Sequence, residues 1–198
     1  MEIVFATKNK GKLKEIKAIL EQSGSPFHVI SMEEAGIDAD VVEDGDTFEA
    51  NAVKKAESIC RISHKVTLAD DSGLEIDCLD KQPGVYSARY LGEHTPYCEK
   101  NRIILERIAN VPDARRTARY VCVIAAAFPG GGIHTARGVM EGMIARGISE
   151  GKNGFGYDPI FFLPEYGMAM SDMPMEEKNK ISHRGLALEQ MREYLSRN

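Results

Sequence analysis

A chain of 198 residues is long enough to bury one sizeable hydrophobic core and short for two comfortable domains, so we expect a single domain over residues 1–198. Its 30 acidic and 25 basic side chains give a net charge of -5, which argues against a nucleic-acid polymer or an anionic membrane as the main partner. A small anion that binds through local cations remains compatible with this charge.

The cysteines and the apolar stretches indicate the compartment. The four cysteines are Cys60, Cys78, Cys98 and Cys122. They form no C-x-x-C pair and fall within helix- or strand-like patterns, as is typical of reduced core residues. The N-terminus lacks the layout of a signal peptide, and the longest apolar stretch, Tyr120 to Phe128, is too short to span a bilayer. We therefore expect a cytoplasmic protein.

The first strand is predicted at Ile3 to Ala6, a short apolar run that leads into a basic loop. The loop consists of Thr7, Lys8, Asn9, Lys10, Gly11 and Lys12. Apolar residues at helical spacing follow from Leu13 to Leu20. Such a loop presents backbone N–H groups, a helix N-terminus and ammonium groups to one point, which suits phosphate. Its glycine pattern differs from that of a Walker loop, and a solvated lysine face along the helix remains the alternative.

Two adjacent carboxylates, Asp70 and Asp71, follow an apolar run that begins at Val66. Ser72 and a glycine come next, and alternation resumes at Leu74, so the pattern predicts a strand, a polar corner and a second strand. Neighbouring carboxylates repel, and burying them requires a cation or a hydrogen-bond donor opposite. A type I turn, with Asp at its first position and Gly at its fourth, explains the same four residues. These residues alone leave both interpretations open.

An acidic segment that begins at Glu43 precedes a helix predicted from Phe48 to about Ser63. The order up to the strand of Asp70 is therefore strand, helix, strand, helix, strand. If the first and third strands are parallel, their C-terminal ends share one edge of the sheet, where open α/β sheets generally bind ligands. Glu43 then lies beside Asp70 and Asp71, and the basic loop opens at the same edge. Glu43 alone would be an exposed loop acid, but this convergence favours a metal-binding role.

The middle of the chain predicts antiparallel structure. Thr117 to Phe128 and Ile133 to Ile144 read as two strands joined by a Pro-Gly-Gly-Gly turn. A helix is predicted after Thr95 and before Pro112. Because the early part alternates strands with helices, we expect a mixed α/β (α+β) fold whose sheet contains parallel and antiparallel strands.

Two late segments carry further polar chemistry. Glycines on both sides of Phe155 free its ring to lie flat against a planar base, and Tyr157 with Asp158 fixes a polar group close by. A glycine-rich loop whose aromatic side chains cap the core explains the same residues. Further cations, Lys178, His183 and Arg184, stand ahead of a predicted terminal helix. Positive charge is unfavourable at a helix start, so an anionic or carbonyl-bearing partner accounts for them better than chance flanking residues do.

Five motifs occur in one order along the chain. They are Thr7-x-Asn9-x-Gly11-Lys12, Ala69 to Leu74 (ADDSGL), Pro83 to Arg89 (PGVYSAR), Gly154 to Pro159 (GFGYDP) and Ile181 to Gly185 (ISHRG). This combination resembles the inosine triphosphate pyrophosphatase family, also called the non-standard purine nucleoside triphosphatase or Ham1-like family. The resemblance covers essentially the whole chain, and five coincident motifs are far more specific than any one of them.

The resemblance implies a mixed α/β structure of two lobes, with helices flanking the sheet, a central substrate cleft, Mg²⁺ as cofactor and a homodimer. It implies that Asp71 is the proton acceptor and a metal ligand together with Glu43, and that Asp70 is a second candidate ligand. The residues implied in substrate binding are Thr7, Lys8, Asn9, Lys10, Gly11, Lys12, Ser72, Phe155, Gly156, Tyr157, Asp158, Lys178, His183 and Arg184. Lys8 replaces a glycine that is frequent in the family, which leaves the conformation of the loop open.

The family reaction is hydrolysis of ITP, dITP or XTP between the α- and β-phosphates, which gives a monophosphate and pyrophosphate and removes deaminated purines from the nucleotide pool. A 6-oxo acceptor with an N1–H donor distinguishes these bases from adenine, which inverts that pattern. Two other classes stay open. One is a related enzyme of the septum-inhibitor type acting on other triphosphates, and the other is a nucleotide-binding module without catalysis.

Overall fold

The protein is described from a computed structural model that covers residues 1–21 and 25–197. Its strands are β1 (Glu2–Phe5), β2 (His28–Ser31), β3 (Thr67–Ile76), β4 (Thr117–Ala127), β5 (Ile133–Ile144), β6 (Phe161–Leu163) and β7 (Met168–Ala169). Its α-helices are α1 (Lys10–Leu20), α2 (Phe48–Ser63), α3 (Tyr97–Arg107), α4 (Met175–Ile181) and α5 (His183–Arg197). The strands form one seven-stranded sheet in the order β2-β1-β3-β4-β5-β6-β7. None of the helices in the described part of the chain combines the length and apolar character that crossing a membrane requires.

The chain divides into two compact units. Unit 1 comprises Met1–Asp71, Cys122–Gly138 and His183–Asn198, and unit 2 comprises Ser72–Val121 and Val139–Ser182. The strands β3, β4 and β5 each contribute residues to both units. The expectation of a single domain over residues 1–198 stays a prediction.

Unit 1 is the parallel part of the sheet with its helices. Strand β1 pairs in parallel with β2 and with β3. Apolar residues of these strands pack with one face of α1, including Ile16 and Leu20, and with one face of α5, including Leu188 and Met191. Burying an apolar stripe of each helix against the sheet stabilises both elements, since isolated helices of this length are marginal in water.

Unit 2 contains antiparallel pairs and a core of its own. Strand β6 pairs antiparallel with both β5 and β7. The core of the unit consists of aliphatic, aromatic and methionine side chains from β3, α3, β4, β5 and the segment around β6, among them Leu74, Ile104, Tyr120, Met140 and Phe161. The predicted mixed sheet is therefore confirmed.

The prediction of a polar corner at Asp70 to Gly73 is wrong, and so is the turn that was its alternative. Strand β3 runs without interruption from Thr67 to Ile76. The carboxylates are compatible with an extended buried strand because each has a cation or an amide donor within reach. The helix that carries Phe48 begins and ends where the pattern predicts, and Thr47 is its cap, accepting a hydrogen bond from the N–H of Ala50 at 3.0 Å.

The predicted order of strand, helix, strand, helix and strand is present, and its second strand is β2. The segment that carries Glu43 is irregular, since no helix or strand includes residues 38–45. Of the three cations predicted ahead of the last helix, Lys178 precedes it, whereas His183 and Arg184 form its first turn. Helix α4, which carries Lys178, was not predicted.

Candidate active site

The basic loop between β1 and α1 is organised by its own side chains. The carboxamide oxygen of Asn9 caps α1 by accepting hydrogen bonds from the N–H groups of Gly11 (2.9 Å) and Lys12 (3.1 Å). The hydroxyl of Thr7 accepts a hydrogen bond from the N–H of Asn9 at 3.1 Å. The exposed Lys8 contacts Asp40 at 2.6 Å. The loop therefore presents a fixed helix N-terminus and several ammonium groups, as the phosphate-loop prediction requires.

Asp70 is the most deeply buried carboxylate of the predicted site, with 1% of its surface exposed. Its Oδ2 lies 3.0 Å from the Nζ of Lys12 and 3.4 Å from Nε and Nη2 of Arg184. Arg184 also donates through Nη1 to Glu15, which is 3% exposed. Burial by itself raises the pKa of Asp70, but the charges of Lys12, Arg184 and Lys55 outweigh it and hold the pKa well below its usual range. Asp70 therefore anchors the loop lysine, and its role as a second metal ligand stays a prediction.

Asp71 lies in a different environment from its neighbour. It is 6% exposed and accepts a hydrogen bond from the side-chain amide of Asn51, at 2.9 Å from Oδ2. Burial raises the pKa of Asp71 above its ordinary value, and the opposing influence of Lys55 and Asn51 does not cancel it. A carboxylate with a raised pKa is a better proton acceptor at neutral pH than an ordinary aspartate. The two adjacent aspartates are thus chemically distinct, as the alternation of strand side chains implies.

Lys55 connects Glu43 to the strand end that carries Asp70 and Asp71. The Nζ of Lys55 contacts the carboxylate of Glu43 and lies 2.6 Å from the backbone carbonyl oxygen of Asp70. Burial lowers the pKa of Lys55, but the carboxylates of Asp70, Glu43 and Asp71 outweigh this effect and raise it. The predicted convergence of Glu43, Asp71 and the basic loop at one end of the parallel strands is therefore present within unit 1.

Glu43 and Asp71 provide oxygen donors of the kind that Mg²⁺ requires. Carboxylate oxygens of Glu43 and Asp71 are the hard ligands that Mg²⁺ prefers, and this ion is usually held by one or two carboxylates together with substrate phosphates and water. Among residues 1–21 and 25–197, no group of three or more His, Cys, Asp or Glu side chains is arranged as a metal cage. The carboxylates of Glu43 and Asp71 lie near the ammonium group of Lys55. Because Mg²⁺ needs only one or two carboxylates when a substrate phosphate supplies further ligands, these residues fit Mg²⁺.

The start of α5 is fixed against β5 by a close backbone contact. A Cβ placed on Gly138 would lie 2.0 Å from the carbonyl oxygen of His183 and 2.7 Å from the backbone nitrogen of Ala187. Only glycine allows this approach. His183 and Arg184 are buried, with 5% and 3% exposed, and the positive charge of Arg184 at the helix start is balanced by Asp70 and Glu15. Their predicted role in nucleotide binding stays a prediction.

Unit 2 contains the predicted base-binding segment. Gly154 and Gly156 adopt φ values of +111° and +70°, and Phe155 between them is 37% exposed. The buried carboxylate of Asp158 accepts hydrogen bonds from the N–H of Phe155 (2.9 Å), the Nζ of Lys178 (2.9 Å) and the hydroxyl of Tyr120 (3.1 Å). The Nζ of Lys178 also lies 5.3 Å from the centre of the Phe155 ring. Asp158 thus holds an exposed aromatic ring and a buried ammonium group next to each other.

Tyr157 and Ser72 are the other predicted substrate-binding residues in unit 2. Tyr157 is 3% exposed, donates its hydroxyl to the carbonyl of Ser87 at 2.7 Å, and packs edge-on against Tyr97. It therefore supports the segment from within the core. Ser72 is half-buried in β3.

Three residues of the unit 1 site were missed by the sequence patterns: Glu15, Asn51 and Lys55. Asn51 interrupts the apolar face of α2 between Phe48 and Ala52, and Lys55 lies one turn further along. A buried amide and a lysine four residues apart on one helix face were a usable signal. Glu15 offered none, because its partner Arg184 is 169 residues away.

Comparison with known proteins agrees with this geometry. The Ham1 family profile matches residues 3–194. The dITP/XTP pyrophosphatase of Desulforamulus reducens is 48% identical over 197 residues, which cover 100% of this chain and 96% of that protein. The dITP/XTP pyrophosphatase of Geobacter sulfurreducens is 47% identical over 193 residues, which cover 98% and 96%.

Solved structures give the same answer. A HAM1 protein from Coxiella burnetii superposes with a TM-score of 0.89 at 39% identity over 100% of both chains. The Ham1 protein of Staphylococcus aureus superposes with a TM-score of 0.87 at 39% identity, covering 99% of this chain and 98% of that one. The resemblance predicted from the five motifs is thereby confirmed, and the chain belongs to the Ham1 family.

Proposed function

We propose that this protein hydrolyses non-standard purine nucleoside triphosphates, namely ITP, dITP and XTP, to the monophosphate and pyrophosphate. The observation that carries the proposal is the pair Asp71 and Glu43 at the end of β3, held by Asn51 and Lys55 beside a lysine-rich loop. Relatives at 48% and 47% identity that are named dITP/XTP pyrophosphatase support the substrate class. The activity removes deaminated purines from the nucleotide pool.

The triphosphate is bound by residues Thr7 to Lys12. The N-terminus of α1 and the ammonium groups of Lys8, Lys10 and Lys12 provide positive potential for the phosphates. Lys12 is held in place by Asp70 at 3.0 Å, so it is oriented before the substrate arrives. A preoriented cation requires less rearrangement during the reaction than a mobile surface lysine.

Asp71 accepts the proton of the attacking water. The water oxygen attacks the α-phosphorus and its proton passes to Asp71. The bond from the α-phosphorus to the bridging oxygen breaks, and pyrophosphate leaves with that electron pair. The hydrogen bond from the Asn51 side chain, at 2.9 Å, holds the Asp71 carboxylate in a fixed orientation to receive this proton. Glu43 and Asp71, with Asp70 as a further candidate, would hold Mg²⁺, which supplies neutralisation of the charge that grows on the leaving pyrophosphate.

The base is bound by the segment Phe155 to Asp158 with Lys178. The exposed ring of Phe155 provides a flat apolar surface, and the Nζ of Lys178 provides a donor for a carbonyl oxygen of the base. A donor aimed at a 6-oxo group is left without an acceptor when the base is adenine, and this difference disfavours ATP. Ser72, His183 and Arg184 complete the set of residues that we assign to the nucleotide.

We further propose that the protein is a cytoplasmic homodimer. The free thiols of Cys60, Cys78, Cys98 and Cys122 are consistent with a reducing compartment. The oligomeric state is measured by size-exclusion chromatography with light scattering, and a mass near 21.9 kDa would identify a monomer instead.

The function is tested by product analysis with dITP, ITP, XTP, ATP, GTP and a pyrimidine triphosphate in the presence of Mg²⁺. We expect monophosphate and pyrophosphate, formed mainly from the first three nucleotides. Release of orthophosphate, or equal rates with ATP and GTP, would contradict the proposed chemistry or the proposed base pocket. A preference for the pyrimidine triphosphate would favour the septum-inhibitor type of activity, and binding without turnover would indicate a non-catalytic module.

A further inference from the structure

Asn51 is a wholly buried polar side chain in the first turns of α2. Its exposed surface is 0%, and its neighbours on the helix face, Phe48 and Ala52, are apolar. A buried amide is destabilising unless its donors and acceptor are satisfied, and an alanine or a leucine would suit this face better for packing alone. Packing of the hydrophobic core therefore does not explain why an asparagine occupies this position.

The hydrogen bonds of Asn51 connect two separate segments of the site. Its Nδ2 donates to Oδ2 of Asp71 at 2.9 Å and also lies 3.4 Å from the carbonyl oxygen of Gly45. Its Oδ1 accepts a hydrogen bond from the N–H of Gly45 at 2.8 Å. One amide thus holds the carboxylate of Asp71 and the backbone two residues after Glu43.

The contact with Gly45 leaves no room for a Cβ unless Asn51 or Ala50 shifts. A Cβ at this position would lie 2.8 Å from Oδ1 of Asn51 and 2.9 Å from Cβ of Ala50. The segment therefore lies directly against α2, and Asn51 replaces the hydrogen bonds that its backbone would otherwise make with water.

We propose that Asn51 is a positioning residue that couples the orientation of the Asp71 carboxylate to the placement of the segment carrying Glu43. The effect of this coupling on catalysis rests on the proposed function. One amide plane is hydrogen-bonded on one side to Asp71 and on the other to Gly45, so a rotation of either group disturbs the other. Outer partners of this kind typically change metal affinity or activity by about 10- to 100-fold when they are removed.

The test compares Asn51→Ala with Gly45→Ala and with Thr67→Val as a matched control. Thr67 is also buried in unit 1, and its hydroxyl contacts the carbonyl oxygen of Lys65 and the hydroxyl of Ser63. The control therefore loses partly buried hydrogen bonds of a buried residue and leaves the hydrogen bond of Asp71 in place. Near-ultraviolet circular dichroism and urea unfolding report whether each variant is folded.

Two readouts separate positioning from a merely structural role. Mn²⁺, a hard cation that can replace Mg²⁺, is titrated with and without a non-hydrolysable dITP analogue, against a protein-free blank, and followed by the electron paramagnetic resonance signal of the free ion. Turnover of dITP gives kcat and KM. For Asn51→Ala we expect Mn²⁺ affinity and kcat to fall by about 10- to 100-fold, with KM changed by less than about threefold, because Asn51 contacts no loop lysine.

Gly45→Ala keeps the amide donor but displaces the Glu43 segment, so we expect a similar fall in Mn²⁺ affinity. This variant tests the coupling even if Asn51→Ala does not fold. A folded Asn51→Ala or Gly45→Ala protein with Mn²⁺ affinity and kcat within about twofold of the wild type overturns the inference. A wild-type protein that binds Mn²⁺ but hydrolyses no triphosphate refutes the proposed function, whereas weaker Mn²⁺ binding in both variants still supports the coupling.

Discussion

Asp70 offers the sharpest test of how this site is held together. Two carboxylates, Glu15 and Asp70, and two cations, Lys12 and Arg184, form one charge cluster in unit 1. Glu15, Asp70 and Arg184 each expose 3% of their surface or less. The substitution Asp70→Asn preserves the shape of the side chain but removes its charge, which leaves the two cations with one carboxylate.

The expected cost follows from the burial of the charges that remain. Removing one partner of a buried ion pair typically destabilises a protein by about 3–5 kcal/mol, because it leaves an uncompensated charge in a medium that solvates it poorly. For a chain of this size, about 2–4 °C of melting temperature corresponds to each kcal/mol. We therefore expect Asp70→Asn to lower the melting temperature by about 6–20 °C at pH 7.

Thermal unfolding measures the melting temperature, and equilibrium unfolding in urea measures the free energy of unfolding, with the slope checked against that of the wild type. The control is Asp44→Asn, which carries the same chemical change in the exposed pair of Asp44 with Lys54. We expect little change in its midpoint, since exposed ion pairs contribute little. The double variant Asp70→Asn/Lys12→Met should lose less than the sum of the single losses, because it also removes one of the stranded cations.

The pH dependence has a defined sign. The folded-state pKa of Asp70 is depressed, so its contribution is fully present above the unfolded pKa of about 3.9 and is lost as the pH falls through the folded value. The difference between wild type and Asp70→Asn should therefore be constant from pH 7 to pH 5 and shrink below pH 4. An Asp70→Asn protein whose unfolding free energy lies within about 1 kcal/mol of the wild type at pH 7, or additive losses in the double variant, would refute this reasoning.

Three further predictions concern separate parts of the molecule. Asp158→Asn weakens the charge-assisted hydrogen bond to Lys178, and we expect KM for dITP to rise about 10- to 100-fold with a smaller change in kcat, measured by steady-state kinetics. Gly138→Ala forces a Cβ into the backbone of α5, and urea unfolding should show a loss of about 1–3 kcal/mol or more. Burial raises the pKa of the Cys122 thiol to about 12, so a thiol reagent at pH 8 should modify the exposed Cys98 first and Cys122 only after unfolding.

Each of these predictions has an outcome that contradicts it. An unchanged KM in Asp158→Asn would mean that Lys178 does not contact the base. A Gly138→Ala protein as stable as the wild type would mean that α5 can move away from β5 without loss. Rapid modification of Cys122 in the native protein would mean that unit 1 opens around β4.

The sequence by itself determined most of the elements and the family. Helix α2 begins after Thr47 and ends at Ser63 as predicted, because the cap and the apolar spacing are local signals. The parallel pairing of β1 with β3, together with the crossover rule, was enough to bring Glu43 and Asp71 to one edge. The positions of Glu43 and Asp71 could be predicted because each follows from the order and direction of the helix and strands next to it.

Only the tertiary structure decided which charges compensate one another. The guanidinium of Arg184 lies against Asp70, 114 residues earlier in the chain, and against Glu15, 169 residues earlier. The same contacts explain why Asp70 to Gly73 remains in a strand instead of forming a turn. A pair of neighbouring carboxylates indicates that compensation is required, but the compensating groups come from distant segments whose approach depends on the packing of α1, α5 and β5. Strand alternation predicts that Asp70 and Asp71 differ, but only the distant contacts decide that Asp70 meets Lys12 and Arg184 while Asp71 meets Asn51.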